Sequence, residues 1–135
     1  MDLYRSVMDY LLDLSMFDTW PEMADILERS ALGRPRDWQL PVIACQSVNG
    51  SYEAAIPSSA ALACTQLSII LVDDMLDDDP RGEFRRIGSG RASNLAIAFQ
   101  AAGIEALFTS QTDIQVKQKA VNSLNQMMLR TARGQ

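Results

Sequence analysis

An all-α fold is what this sequence of 135 residues predicts. Apolar residues recur at spacings of three and four, as on one face of a helix, and no segment sustains the alternation that marks a half-buried strand. Capping residues, glycines and prolines separate the periodic segments. Apolar residues make up 47% of the chain, enough for a folded core. The length, with no internal repeat or linker, predicts one domain at residues 1–135.

The first half of the chain predicts three helices. The first is marked by an apolar stripe at spacings of four, four and three, formed by Leu3, Val7, Leu11 and Leu14. Thr19 predicts the start of the second helix, because its hydroxyl can cap a first turn that contains Pro21 and Glu22. That helix should run to about Ser30. The apolar residues 40–48 predict the third helix.

The second half predicts three longer helices. Ser58 or Ser59 can cap the first of them, which should run from about residue 60 to residue 78. An Ala-rich segment predicts the second at residues 91–108, and Thr112 can cap the third, which should end near residue 133. The longest apolar run is the 13 residues 60–72. That length suits a buried helix and is too short to span a bilayer, so we expect no stable membrane insertion.

The acidity of the chain is concentrated at one place. The formal net charge is −5, and five carboxylates lie within seven positions, at Asp73, Asp74, Asp77, Asp78 and Asp79. Without these five side chains the net charge would be zero. Such an acidic chain is not expected to bind nucleic acid, which requires a basic surface.

The residue types also exclude several kinds of site. The chain has no histidine, which excludes imidazole bases, Ser–His and Cys–His nucleophile pairs and the usual zinc sites. Cys45 and Cys64 are its only cysteines and form no CxxC pattern. They are typical of core residues in a reducing compartment. Because no apolar leader opens the chain, we expect a cytoplasmic protein.

Three of the aspartates predict a cation site. Asp73, Asp74 and Asp77 are three or four residues apart near the end of a helix, so their carboxylates share one face. They repel one another, and the partial negative charge of the helix end adds to the repulsion. A bound cation would relieve it, and oxygen ligands alone suit Mg²⁺, Mn²⁺ or Ca²⁺. The alternative is a solvated acidic helix end.

Arginines follow this cluster. Arg81, Arg85 and Arg86 lie within thirteen positions of Asp74, and Arg91 comes shortly after them. Forked guanidinium groups match phosphate oxygens, and carboxylates with a cation and arginines can together hold a diphosphate. The alternative is that these are solvated loop side chains.

The sequence Asp73-Asp74-Met75-Leu76-Asp77 resembles the DDxxD motif of the trans-isoprenyl diphosphate synthases, or polyprenyl synthetases. The setting is similar too: an apolar helix precedes the motif, and a loop with glycines and arginines follows it. The resemblance extends from about residue 40 to residue 135. It implies an isoprenoid-synthase-type helical bundle that forms a homodimer. Family members are about twice this length, so the resemblance covers only their N-terminal half, and the site would need a C-terminal half with a second aspartate-rich motif.

The resemblance also implies roles for individual residues. Asp73, Asp74 and Asp77 would be catalytic, and Asp73 and Asp77 would hold Mg²⁺, or alternatively Mn²⁺. Arg81, Arg85 and Arg86 would bind the diphosphate of an allylic substrate, which ionises and condenses with isopentenyl diphosphate. Ser68 and Ile69, five and four positions before the motif, would form the floor of the pocket that sets product length.

One motif of the family is altered. Its members carry a Gly-Gly-Lys-x-x-Arg-Pro loop for isopentenyl diphosphate, and here Asp37 and Leu40 occupy the Lys and Arg positions. Arg34 and Arg36 are the candidates to replace them. Three alternatives therefore stay open: a class I terpene synthase or cyclase-like enzyme, a non-catalytic partner subunit of a prenyl synthase, and a helical module that binds only a metal.

Overall fold

A computed structural model describes residues 2–135, and over that range the chain forms helices and no strand. The all-α prediction is therefore confirmed. A 3₁₀ turn, Arg36–Gln39, precedes α4. The helices are α1 (Leu3–Leu12), α2 (Ser15–Thr19), α3 (Pro21–Leu32), α4 (Leu40–Ser47), α5 (Tyr52–Leu76), α6 (Phe84–Ile87), α7 (Ser89–Phe108) and α8 (Ile114–Gly134).

Helix α5 lies at the centre of the fold, and α7 is its main partner. The two helices approach closely at Gly103, where a Cβ atom would lie 3.0 Å from the backbone oxygen of Ala61 and 3.2 Å from Oγ1 of Thr65. A glycine at position 103 therefore permits the tight packing of the central helix pair.

Cys64 is wholly buried, and this burial raises the pKa of its thiol.

Helices α1, α2 and α3 and the 3₁₀ turn cover the rest of the core. The four predicted stripe residues, Leu3, Val7, Leu11 and Leu14, are all buried, but Leu14 lies beyond the end of α1 and precedes α2, so only the first three share the helix. Phe17 of α2 packs edge-on against Phe99 of α7, with ring centroids 6.3 Å apart. Trp38 is fully buried, and its Nε1 donates to Oε1 of Gln66 at 2.8 Å.

The start of α5 differs from the prediction. Ser51 caps the helix and accepts a hydrogen bond from the amide of Ala54, so α5 begins eight residues before the predicted start. Ser58 and Ser59 lie inside the helix, and the prediction that one of them is the cap is wrong. Pro57 lies inside α5, in its second turn, where a proline removes one helical amide hydrogen bond.

Two further predicted caps are wrong. Thr19 ends α2, where its hydroxyl donates to the carbonyl oxygen of Met16 at 3.1 Å, and Trp20 precedes α3. The side chain of Asp113, and not that of Thr112, caps α8 by accepting from the amide of Gln115 at 2.8 Å. Helices α3 and α8 begin within two residues of their predicted starts, whereas the short helices α2 and α6 were not predicted.

Helix α5 is longer than the 13-residue apolar run from which we expected no membrane insertion. With 25 residues and a most apolar stretch of mean hydropathy 1.7, α5 is long and apolar enough to cross a membrane by length and composition alone. The prediction that this apolar segment is too short to span a bilayer is therefore wrong for the helix as it forms. Of that stretch, 56% is buried within the protein, as in the core helix of a folded domain.

Helices α4 and α8 leave most of their apolar side chains outside the core. Within α4 only Val42 is buried, and Leu40 and Ile43 are exposed beside it. Helix α8 has no buried residue, although Leu124 packs against the core and Met127 is half-buried. The core of residues 2–135 therefore centres on α1 to α7, with α8 lying along its outside.

Candidate functional site

The aspartates gather where α5 ends. Asp73 and Asp74 are in the last turn of the helix, and Asp77 caps it by donating its amide to the carbonyl oxygen of Asp73 at 2.9 Å. Asp78 follows with φ 54°, a left-handed conformation that aspartate adopts more readily than most residues. The chain thereby turns away from the helix axis and enters residues 77–88, which we call the aspartate loop.

Arginines of the aspartate loop neutralise two of its own acids. Arg81 bonds to Asp79 through a guanidinium nitrogen at 2.8 Å and through its amide at 2.8 Å. These bonds lower the pKa of Asp79 to about 2. Arg85 pairs with Asp78 at 2.6 Å. Two of the three predicted diphosphate ligands, Arg81 and Arg85, therefore lie beside the cluster, where each already binds a carboxylate.

The remaining three carboxylates carry the uncompensated charge. Across residues 2–135, no ion pair involves Asp73, Asp74 or Asp77. Desolvation, followed by repulsion from Asp79 and Asp73, raises the pKa of Asp74. The side chains of Asp73 and Asp77 are exposed. The three residues predicted to be catalytic thus lie at the same end of α5, and none of them forms an ion pair within residues 2–135.

An apolar cavity of about 270 Å³ lies beside these carboxylates, between α5, α7 and α8. Its lining includes Ser68, Ile69, Val72, Ile97, Met128 and Gln135. Val72 directly precedes Asp73, so the cavity reaches the acidic end of α5. The two residues predicted to form a product pocket both face this cavity, with Ser68 buried and Ile69 half-buried.

Helix α3 supports the aspartate loop from the other side. Both terminal nitrogens of Arg29 donate to the carboxylate of Glu83, at 3.1 and 3.2 Å, and Arg86 bonds to the same carboxylate. Burial raises the pKa of Glu83, but the hydrogen bonds from Arg29 and Arg86 outweigh it and hold that pKa below its usual value. The sequence analysis missed this contact, because nothing in the sequence pairs positions 54 residues apart.

A second bridge joins α3 to the start of α7. Arg91 donates to Oε2 of Glu22 at 2.9 Å, and Nε1 of Trp20 donates to the same oxygen at 3.1 Å. The bond from Trp20, with that from Arg91, lowers the pKa of Glu22. Glu22, which the sequence places in the first turn of α3, thus uses its carboxylate in tertiary contacts.

The two candidates for the second substrate lie elsewhere. Arg34 follows α3 with φ 50°, pairs with Asp2 at 3.2 Å and stacks over the ring of Tyr4 at 4.4 Å from its centroid. Arg36 is exposed in the 3₁₀ turn. The structure therefore ties Arg34 to α1 and does not bring it into contact with the aspartates.

The acidic cluster does not by itself enclose a cation. No three Asp, Glu or Cys side chains of residues 2–135 converge closely enough to enclose a metal ion by themselves. Mg²⁺ is commonly held by one or two carboxylates, with waters and substrate phosphates completing the shell. Asp73 and Asp77, one helical turn apart and exposed, can supply those two carboxylates.

No protein-family model, curated protein or solved structure matches this chain.

Proposed function

We propose that this chain belongs to a Mg²⁺-dependent prenyltransferase that ionises an allylic diphosphate and condenses it with isopentenyl diphosphate to give a longer polyprenyl diphosphate. The observation that carries the proposal is the junction of two features on α5. Uncompensated carboxylates end the helix, and an apolar cavity begins one residue earlier at Val72. A prenyl diphosphate has the same two parts, an anionic head and an apolar tail.

The charges of the site suit the head group. Asp73 and Asp77 would hold Mg²⁺, which supplies Lewis-acid stabilisation of a departing diphosphate. Arg81 and Arg85 already bind carboxylates, and the same forked donors bind phosphate oxygens in similar geometry. A diphosphate would therefore exchange with Asp79 and Asp78 for these guanidinium groups. Arg86, held by Glu83, stands on the α3 side of the loop.

The cavity suits the tail. Its surface is mostly apolar, and Ile69, Val72 and Ile97 would contact a hydrocarbon chain. An apolar wall also excludes water, which matters because water would quench an allylic cation. Homodimer formation and the need for a C-terminal half remain predictions of the resemblance, and a cytoplasmic location remains a prediction from the first residues of the sequence.

A cyclase-like reaction of the terpene synthase class is the second candidate. Asp37 and Leu40 replace the basic residues of the family loop, and Arg34 is engaged by Asp2 and Tyr4. These observations favour an enzyme that ionises one diphosphate without condensing it with another.

Binding and turnover together test the proposal. Titration calorimetry should show that the full-length protein binds inorganic pyrophosphate only with Mg²⁺ present, which a site for metal alone would not do. The full-length protein, given an allylic diphosphate and labelled isopentenyl diphosphate, should form a labelled longer product. Release of diphosphate without incorporation of label would favour the cyclase-like reaction. Failure to bind Mg²⁺–pyrophosphate would refute both.

A further inference from the structure

We propose that Glu83 is the positioning residue of the candidate site: its carboxylate ties the aspartate loop to α3 and so fixes the loop for diphosphate binding. This inference rests on the function proposed above. Glu83 is the one acid of the aspartate loop that bonds to another part of the fold, since Asp78 and Asp79 pair with arginines of the loop itself.

The contact is close and well shielded. The fork of Arg29 bonds to both carboxylate oxygens, and Nε of Arg86 bonds to one of them at 2.9 Å. Only 14% of the Glu83 side chain is exposed. A forked, partly buried pair fixes direction as well as distance, which a solvated pair between flexible side chains does not.

The neighbouring residue carries this restraint to the carboxylates. Gly82 is buried, and a Cβ atom at this position would lie 2.9 Å from Cβ of Asp74. The backbone of the loop therefore rests against the end of α5 one residue before Glu83. When Glu83 is held by α3, Gly82 is held against Asp74, and the arginines that follow keep a fixed place beside the cluster.

Neutralising Glu83 would loosen the loop, which would keep only the longer contact between Arg86 and Asp25, and would leave α3 paired. Arg29 also bonds to Asp25 at 3.0 Å, and Arg86 lies 3.8 Å from the same carboxylate. Both guanidinium groups thus keep an acid when Glu83 loses its charge. The loss falls on the position of the loop more than on the stability of the helix.

Whether neutralising Glu83 strengthens or weakens diphosphate binding distinguishes a positioning role from a purely electrostatic one. Removal of a carboxylate makes the local potential more positive, and by charge alone this strengthens the binding of an anion. Loss of the tie has the opposite effect, because a mobile loop must be ordered again when the diphosphate binds.

The test uses Glu83→Gln, which keeps the shape of the side chain, with Mg²⁺ and inorganic pyrophosphate as the probe. We expect binding about tenfold weaker than in the wild type, the size typical for residues that orient a metal site. Hydrogen exchange of the amides of residues 78–88 should be faster in the ligand-free variant. Arg29→Lys, which keeps the charge and loses the fork, should weaken binding in the same direction. Asp9→Asn, which removes an acid from an exposed pair with Arg5 on α1, is the matched control and should change neither quantity.

The outcomes separate this inference from the function it builds on. Unchanged or tighter binding by Glu83→Gln, with a wild-type protein that binds Mg²⁺–pyrophosphate, would overturn the positioning role alone. A wild-type protein that does not bind the probe would count against the proposed function. Amide exchange would then decide the tie to α3: faster exchange would support it, and unchanged exchange would overturn it.

Discussion

The side-chain amide of Gln135 donates a hydrogen bond of 3.0 Å to Oδ1 of Asp73, which lies 62 residues earlier in the chain. This bond links α8 to the acidic end of α5, and Gln135 also lines the apolar cavity. Asp73 therefore stands at the point where the carboxylate cluster, the cavity and α8 meet.

The first prediction concerns the two proposed metal ligands. Asp73→Ala or Asp77→Ala should abolish turnover of the full-length protein with Mg²⁺, because each variant leaves one of the two carboxylates. Circular dichroism should show unchanged helix content, since both side chains are exposed at the helix end. Asp9→Ala, an exposed acid on α1, serves as the control. Wild-type activity in either cluster variant would show that its carboxylate holds no essential metal.

The second prediction concerns the pH dependence of stability. Desolvation and nearby carboxylates raise the pKa of Asp74 in the folded state. The contribution of Asp74 to folding is therefore fully present below its unfolded pKa and is lost as the pH rises through the folded value. In EDTA, Asp74→Asn should raise the free energy of unfolding at pH 7 by about 0.5 kcal/mol, the size of a like-charge pair on a helix. This gain should vanish below about pH 3.9, the unperturbed value.

Asp79→Asn should change the free energy of unfolding in the opposite direction from Asp74→Asn. Hydrogen bonds from Arg81 lower the pKa of Asp79 to about 2, so its contribution is present above the unfolded value and is lost as the pH falls through the folded one. This variant should be less stable than the wild type at pH 7, and the difference should shrink steadily as the pH falls from about 4 towards 2. Urea unfolding across this range measures both variants, and effects of equal sign would contradict the assigned charge environments.

The third prediction concerns product length. Ser68 is small, buried and directed at the cavity. Ser68→Phe should fill much of that space and shorten the products of the full-length enzyme, which chromatography of the dephosphorylated products would reveal. Ser58→Phe is the matched control, because Ser58 lies on the same helix, is exposed and does not line this cavity. An unchanged product distribution in Ser68→Phe would show that the hydrocarbon chain lies elsewhere.

The fourth prediction concerns the central helix pair. Gly103→Ala should lower the free energy of unfolding by about 1–3 kcal/mol, because the added methyl group meets the backbone oxygen of Ala61 at 3.0 Å. Gly90→Ala lies on the same helix with open space around the added atom, and it should stabilise the protein by about 0.5–1 kcal/mol through helix propensity. Thermal unfolding of both variants measures the difference. Equal effects would mean that α5 and α7 do not pack closely at Gly103.

Local patterns made much of this fold predictable. The stripe from Leu3 to Leu14 follows from helical period alone, and every member is buried. The caps were less predictable, since Thr19 and Thr112 are as suitable for capping as Ser51 and Asp113. The sequence also does not reveal that a helix continues through Pro57. The helical residues before Pro57 and the packing of α5 against α1 and α4 together allow the helix to continue.

The candidate site also has a part that the sequence predicts and a part that it does not. The spacing of Asp73, Asp74 and Asp77 places them together, since one helical turn brings them to one face. The partners of the arginines depend on tertiary geometry: Arg86 meets Glu83 and Asp25, and Arg91 meets Glu22 on α3. No period or motif encodes such contacts between distant positions.

Because Cys64 is wholly buried, the rate at which it reacts with a thiol reagent should depend on how often the core opens. A thiol reagent attacks the thiolate, which is scarce when the pKa is raised and cannot be reached while α5 and α7 stay packed. Cys45 is only half-buried, so one thiol should react quickly and the second only as fast as the central helices separate. The slow phase of labelling would therefore report directly on the lifetime of the helix pair that carries the aspartates.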